Sequence, residues 1–300
     1  MRNKTSGWKF GARYLFNKVS LSVWFLRPLS ATLFISVLSI TNAIAASQLM
    51  ITPTRIVFSE KTRSASVTII NTGDSPGTYR VSLVNKRMTV DGEFEDVKEA
   101  SPGELFSDKM IRYSPRQVVL EPGKSQVVRL GLRKPSGLKA GEYRSHMLFR
   151  AIPEVDESAE ANVQPSTGVT IKLKAIVGIS IPVIVRHGKT EAGISFVSAE
   201  YLPAQPKEDQ SHIIMELERS GNRSVYGDLL AEFIAKNGDR TVIAQGSGVA
   251  LYTPGTMRRI KLPVNLPAGL ELTKGTIDIL YRSPIDQGGR VFAQQQIKVP

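Results

Sequence analysis

The chain has 300 residues, 39 Lys+Arg against 27 Asp+Glu for a formal net charge of +12, 41% hydrophobic residues and no cysteine. Without a thiol there can be no disulfide, no Cys-based zinc or iron–sulfur site and no thiolate nucleophile. The composition is that of a globular protein, and the length suits roughly two domains of ordinary size.

Half of the excess charge sits at the front: Arg2, Lys4, Lys9, Arg13, Lys18 and Arg27 fall within residues 1–46, which hold no acidic residue. This basic stretch runs into an apolar segment, Leu29 to Ile40, and then into Ala43-Ile44-Ala45-Ala46. A positive region, a short apolar region and an A-x-A site in that order read as a secretory signal, expected over residues 1–45 with cleavage after Ala45. The alternative is an uncleaved anchor. Arg27 and Pro28 oppose it, because they cut the apolar run below the ~20 residues that a span needs. The exported chain, lacking cysteine in an oxidising compartment, must hold its fold by core packing.

Beyond the leader, short alternating segments rich in Val, Ile, Thr and Tyr recur between Gly, Pro, Asn and Asp signals, which predicts an all-β protein. The first half offers strands over Met50 to Phe58, Ala65 to Asn71, Thr78 to Val90, Ile111 to Leu120, Gln126 to Leu132, Tyr143 to Ile152 and Val169 to Val177. Seven strands suit an immunoglobulin-like sandwich. Residues 153–168 are acidic and polar and read as a loop. The run from Val169 to Val185 is about twice the usual strand length. Gly178 and Pro182 interrupt it, so it reads as the last strand of a first domain (46–182) bending into a second (183–300). That domain offers strands over Ile194 to Tyr201, His212 to Glu218, Gly227 to Ala235, Arg240 to Tyr252, Met257 to Val264, Gly275 to Tyr281 and Val291 to Val299, with Asn237-Gly238 as the strongest hairpin signal.

Enzyme signatures are missing. His146, His187 and His212 are dispersed, none at metal-ligand spacing, and read as ordinary strand or loop residues. There is no G-x-S-x-G elbow and no phosphate-binding glycine loop; Gly246-Ser247-Gly248 lies in a predicted strand and reads as a bulge. Asp91, Glu93, Glu95 and Asp96 form an acidic hairpin tip without the Ca²⁺-loop pattern, hence a solvated turn. No catalytic residue, metal, cofactor or small-molecule substrate is expected. The basic residues are spread without an aromatic ladder, which argues against nucleic acid.

The unusual segment is Val169 to Val177, in which Val169, Ile171, Leu173, Ala175 and Val177 are all apolar while Thr170, Lys172 and Lys174 alternate with them. Such a row is ordinarily core. The alternative is a strand at a sheet edge that lends its apolar row to another protein, with main-chain hydrogen bonds supplying the pairing.

Five segments occur in one order: Thr54-Arg55-Ile56-Val57-Phe58; a strand ending Ile70-Asn71; Pro115 to Gly123 (PRQVVLEPG); Gln126 to Leu130 (QVVRL); and Met147 to Pro153 (MLFRAIP). Through them residues 50–186 resemble the PapD-like periplasmic chaperones of pilus and fimbrial subunits. The later part matches in general sandwich character and around Gly221-Asn222-Arg223-Ser224 to Leu230. The resemblance implies two immunoglobulin-like sandwiches in a boomerang arrangement. It implies donation of Val169, Ile171, Leu173, Ala175 and Val177 to an incomplete subunit, called donor-strand complementation, and hand-over to an outer-membrane usher. It makes Arg55 the anchor for the subunit's C-terminal carboxylate, with an interdomain salt bridge as the alternative reading of that residue. The family's second anchor is a lysine; Ser180 stands there, so Lys174, Arg186 or another mode of capture takes the role. The implied location is the periplasm, and free chaperone is expected to be able to self-associate. The competing function is a structural or adhesive two-sandwich exported protein that donates no strand.

Overall fold

The computed structural model describes residues 49–153, 176, 178–205, 210–272 and 274–299. The expected signal peptide, the loop after Pro153 and the row Val169, Ile171, Leu173, Ala175 and Val177, with Lys172 and Lys174, lie outside the described residues. Among the described residues, no helix is long and apolar enough to cross a membrane.

Two immunoglobulin-like β-sandwiches follow one another. The first contains β1 (Leu49–Thr52), β2 (Ile56–Phe58), β3 (Ser64–Asn71), β4 (Gly77–Val84), β5 (Lys86–Met88), β6 (Phe94–Asp96), β7 (Ile111–Ser114), β8 (Gln117–Leu120), β9 (Ser125–Leu132), β10 (Gly141–Ile152) and β11 (Gly178–His187). One of its sheets has the order β1-β3-β9-β7 and the other β2-β11-β10-β4-β8, while β5 and β6 pair as a separate hairpin. The second contains β12 (Ala192–Leu202), β13 (His212–Gly221), β14 (Val225–Ile234), β15 (Arg240–Leu251), β16 (Met257–Pro263), β17 (Thr276–Arg282) and β18 (Val291–Lys298). These form sheets ordered β12-β13-β16 and β15-β14-β17-β18.

Strict alternation builds both cores. On β3 and β9 the inward Val67, Ile69, Val128 and Leu130 meet Tyr79 and Val81 of β4, Met147 and Phe149 of β10 and Val183 and Val185 of β11, all buried. In the second sandwich Ile213, Met215 and Leu217 of β13 face Leu229, Ala231 and Phe233 of β14 and Ile277, Ile279 and Tyr281 of β17. The Asn237-Gly238 turn closes β14 on β15, with Gly238 at φ +90 and the Asp239 N–H donating to Asn237 Oδ1 at 3.1 Å. At Gly246-Ser247-Gly248 the register slips as expected of a bulge. Leu229 pairs with Gly246 and Gly227 with Val249, and the Gly248 N–H is taken by Asp228 Oδ1 at 3.0 Å.

Three expected strands are broken. Met50 to Phe58 is two strands, because Pro53 has no N–H for a ladder; β1 pairs with β3 in one sheet and β2 with β11 in the other, so the chain changes sheets at Pro53-Thr54-Arg55. Ile111 to Leu120 divides likewise at Pro115, into β7 beside β9 and β8 beside β4. Thr78 to Val90 ends at Val84 and resumes as β5, whose partner β6 carries Glu95 and Asp96 of the acidic tip. The long run behaves differently from the expected bend at Gly178 and Pro182: β11 pairs with β10 from Gly178 to His187 and remains in the first sandwich to its end, beyond residue 182.

Only Val183–Val185 of β11 pair with β2. Among the described residues, Gly178–Pro182 therefore have β10 on one side and no strand on the other, and Pro182 sits where a missing donor costs the ladder least. Ile179, Ile181, Val183 and Val185 face the first core.

Phe149, 1% exposed at the centre of that core, should be costly to truncate. Phe149→Ala is expected to lower the unfolding free energy by about 3–5 kcal/mol in urea denaturation.

Candidate functional site

Alternation fixes what meets the second sandwich. Because Tyr143, Met147 and Phe149 of β10 enter the first core, Glu142, Arg144, His146 and Leu148 take the opposite face. The ladder sets them across from Arg186, Ile184, Pro182 and Ser180 of β11. Ile56 and Phe58 of β2 are core residues, so Arg55 and Val57 share that opposite face. It is covered by an apolar cluster of Ile184, Ala250 and Tyr252, against which Val57, Met88 and Tyr226 pack.

Charged groups ring this cluster. Arg55 donates from Nη1 to the Tyr252 hydroxyl at 2.9 Å and from Nη2 to Ser224 Oγ at 3.4 Å, and its guanidinium stands 4.6 Å from the centre of the Tyr226 ring. Glu142, 1% exposed, accepts Arg186 Nε–H at 3.0 Å and the Ser224 N–H at 3.2 Å. Burial holds the Arg186 pKa below its ordinary value; Glu142 pulls it up, while Arg223 and Arg55 push it down as like charges. Beside these residues opens a cleft of about 1060 Å³, whose walls include Arg55, Arg186, Arg223 and Arg290 against Asp228 and Asp286. A concave site with an excess of guanidinium forks is suited to a carboxylate or another planar anion.

On the other side of the cluster, Arg144 lies over the Tyr252 ring at 4.2 Å and donates from Nη2 to the Lys86 carbonyl at 3.1 Å. Its neighbour His146 is buried with neither ring nitrogen hydrogen-bonded, edge-on to Phe94 at 4.9 Å and to Tyr252 at 6.4 Å. Burial, with Arg144, Lys86 and Arg55 adding repulsion, lowers its pKa to about 3. The tip of the β5–β6 hairpin, expected as a solvated turn, docks on β16. The Arg259 N–H donates to the Val90 carbonyl at 2.8 Å and Arg259 Nη1 pairs with Asp91 Oδ1 at 3.3 Å.

Of the residues singled out in the sequence, Arg55 and Arg186 come together at the cleft, while Ser180 shares their face but lies opposite Leu148, outside the cleft wall. Arg55 does cross between the sandwiches, to neutral hydroxyls and not to a carboxylate. Tyr252 and Glu142 carry no motif, though alternation along β10 could have found Glu142; Arg223, Ser224 and Tyr226 lie in the segment Gly221 to Leu230 without a role assigned there, and their place became visible when the second sandwich folded over the first. No cluster of acidic and histidine residues able to hold a metal is present among the described residues.

The geometry is that of a two-sandwich β protein with a basic cleft between its halves. Residues 48–186 match the family model described as pili and flagellar-assembly chaperone, PapD N-terminal domain, and this part of the chain belongs to the PapD-like chaperone family. That membership carries a chaperone's role in pilus and fimbrial assembly, a task of binding in a family of chaperones, not of enzymes. No curated protein matches the chain. Among solved structures, the YadV chaperone is 11% identical with a TM-score of 0.43, over 84% of this chain and 99% of that one. The Pseudomonas aeruginosa CupB2 chaperone is 12% identical at 0.40, over 83% and 98%. A chaperone–tip adhesin complex of CFA/I fimbriae biogenesis is 13% identical at 0.41, over 84% and 98%. These are loose likenesses of shape.

His146 gives a pH prediction. Its pKa is about 3 when folded against 6.5 for the free side chain, so between those values the unfolded chain binds the extra proton. Stability is therefore complete above pH 6.5 and falls as pH drops through the window, by up to about 1.4 kcal/mol per pH unit. His146→Leu should remove this slope between pH 6.5 and 4.5 in urea denaturation. The lowered carboxyls of Glu104, bonded to Arg87, and Glu60, bonded to the Gly188 N–H, add their own losses only below that range.

Proposed function

We propose that this chain is a periplasmic chaperone that holds pilus or fimbrial subunits by donor-strand complementation and delivers them to an outer-membrane usher. The observation that carries the reading is the edge of β11 at Gly178–Pro182, unpaired among the described residues, which follows directly in sequence on the apolar row Val169, Ile171, Leu173, Ala175 and Val177. The parity agrees. Odd-numbered residues from Ile179 to Val185 face the core, so a subunit pairing with this edge would receive the same odd-numbered row and join its own interior to that of the first sandwich.

A subunit lacking a strand exposes an apolar groove and unpaired backbone, which invite aggregation. A lent strand covers both. Burying each apolar side chain is worth about 1.5–3 kcal/mol, so the row supplies most of the affinity. The subunit's C-terminal carboxylate would then enter the cleft at Arg55, which already has a rigid seat on Tyr252 and Ser224 and can offer its remaining N–H donors. Release requires a competing strand, supplied by the next subunit at the usher.

Ile171→Asp combined with Leu173→Asp is expected to abolish co-purification of a pilin-like partner from periplasmic extract, corresponding to more than about a hundredfold in affinity. Arg55→Ala should reduce the yield of the same partner while leaving circular dichroism unchanged. Retained capture by the folded double variant would overturn strand donation and leave the structural or adhesive reading.

A further inference from the structure

Besides Arg290, three arginines line the cleft from three parts of the chain: Arg55 just before β2, Arg186 on β11 and Arg223 in the turn between β13 and β14. They are engaged differently. Arg186 is bonded to Glu142, and Arg55 is held by two neutral hydroxyls. The Arg223 guanidinium has no hydrogen bond or ion pair with any described residue; only its carbonyl is used, as acceptor for Arg219 Nη1 at 3.0 Å.

Its backbone is nevertheless held in place. The next residue, Ser224, is buried, receives Arg55 Nη2 on its hydroxyl and gives its N–H to Glu142, so the backbone sets Arg223 one residue from both partners. Arg223 also weighs on Arg186 as a like charge, as does Arg55. The acids of the cleft wall do not settle this group: Asp228 is bonded to the Gly248 N–H, and Asp286 lies in the loop after β17. A half-buried cation with Arg186 beside it as a like charge has no counter-ion among the described residues and is open to an anion that enters the cleft.

We infer that Arg223 is the second cation gripping the C-terminal carboxylate of a bound protein subunit, together with Arg55. The inference rests on the reading of the cleft as a carboxylate anchor and names the group that stands in for the lysine missing at Ser180. Ser180 carries no charge and lies outside the cleft wall, and Arg186 is already committed to Glu142. With Arg55 from the first sandwich and Arg223 from the second, the carboxylate site is built from both halves, and an occupied site bridges them.

Acetate serves as the probe, with acetamide as its neutral counterpart, in an NMR titration that follows the arginine side-chain N–H resonances of the whole exported chain. Acetate is expected to shift the Arg55 and Arg223 resonances and acetamide to leave them in place. Arg223→Gln, on a turn where it removes no internal bond, should weaken acetate binding about fivefold, as should Arg55→Gln. Arg129→Gln, on an exposed position of β9 outside the cleft, should leave the titration unchanged. If Arg55→Gln weakens binding and Arg223→Gln does not, the inference fails while the anchor reading stands; if acetate moves neither resonance, both fail. An equal loss in Arg129→Gln would reduce the effect to the general charge of the protein and overturn the pairing.

Discussion

A carboxylate removed from water must find its hydrogen-bond partners inside the protein, and Glu142 finds them on both sides of the boundary between sandwiches. Arg186 on the neighbouring strand neutralises it, and the Ser224 N–H reaches it from the second sandwich. Ser224 in turn receives Arg55, which also holds Tyr252. Deleting any member strands a buried charge or donor. The cluster of Ile184, Ala250 and Tyr252 adds apolar contact, and the docked β5–β6 hairpin adds a main-chain bond at the far side. The shape of the cleft follows from these bonds.

Strand existence was legible to a high degree, because alternation is a local property and the turns between strands are marked by Asn-Gly, Asp-Gly and Pro-Gly signals. The breaks at Pro53 and Pro115 were equally local, yet they were passed over because apolar residues continue on both sides of each proline. What could not be read was the destination of each half: that β1 and β2 belong to different sheets is decided by pairing partners far along the chain. The docking of the acidic tip was hidden for a similar reason, since Asp91 looks solvated until Arg259 arrives.

The candidate site divides the same way. Arg55 came from a family resemblance, and its seat on Tyr252 and Ser224 is a tertiary fact. The named choices, Ser180, Lys174 and Arg186, all lie on the long strand, with another mode of capture left open beside them. The second sandwich offers Arg223, in the segment Gly221 to Ser224 that carries the resemblance in that domain. His146 illustrates the opposite case: it was correctly placed on a strand, but nothing local distinguishes a solvated histidine from one held neutral among Phe94, Tyr252 and Arg144.

The parallel pairing of β2 with β11 also sets an order of events in folding. Ile56 meets Val183 only after nearly all of the first sandwich has been made, so loop-closure entropy makes this among the last pairings to form. A chain synthesised from its N-terminus therefore brings out β2 early and leaves it waiting. Until β11 follows, Arg55 has neither its supporting strand nor the second sandwich around it, so the basic cleft and the edge of β11 are completed together.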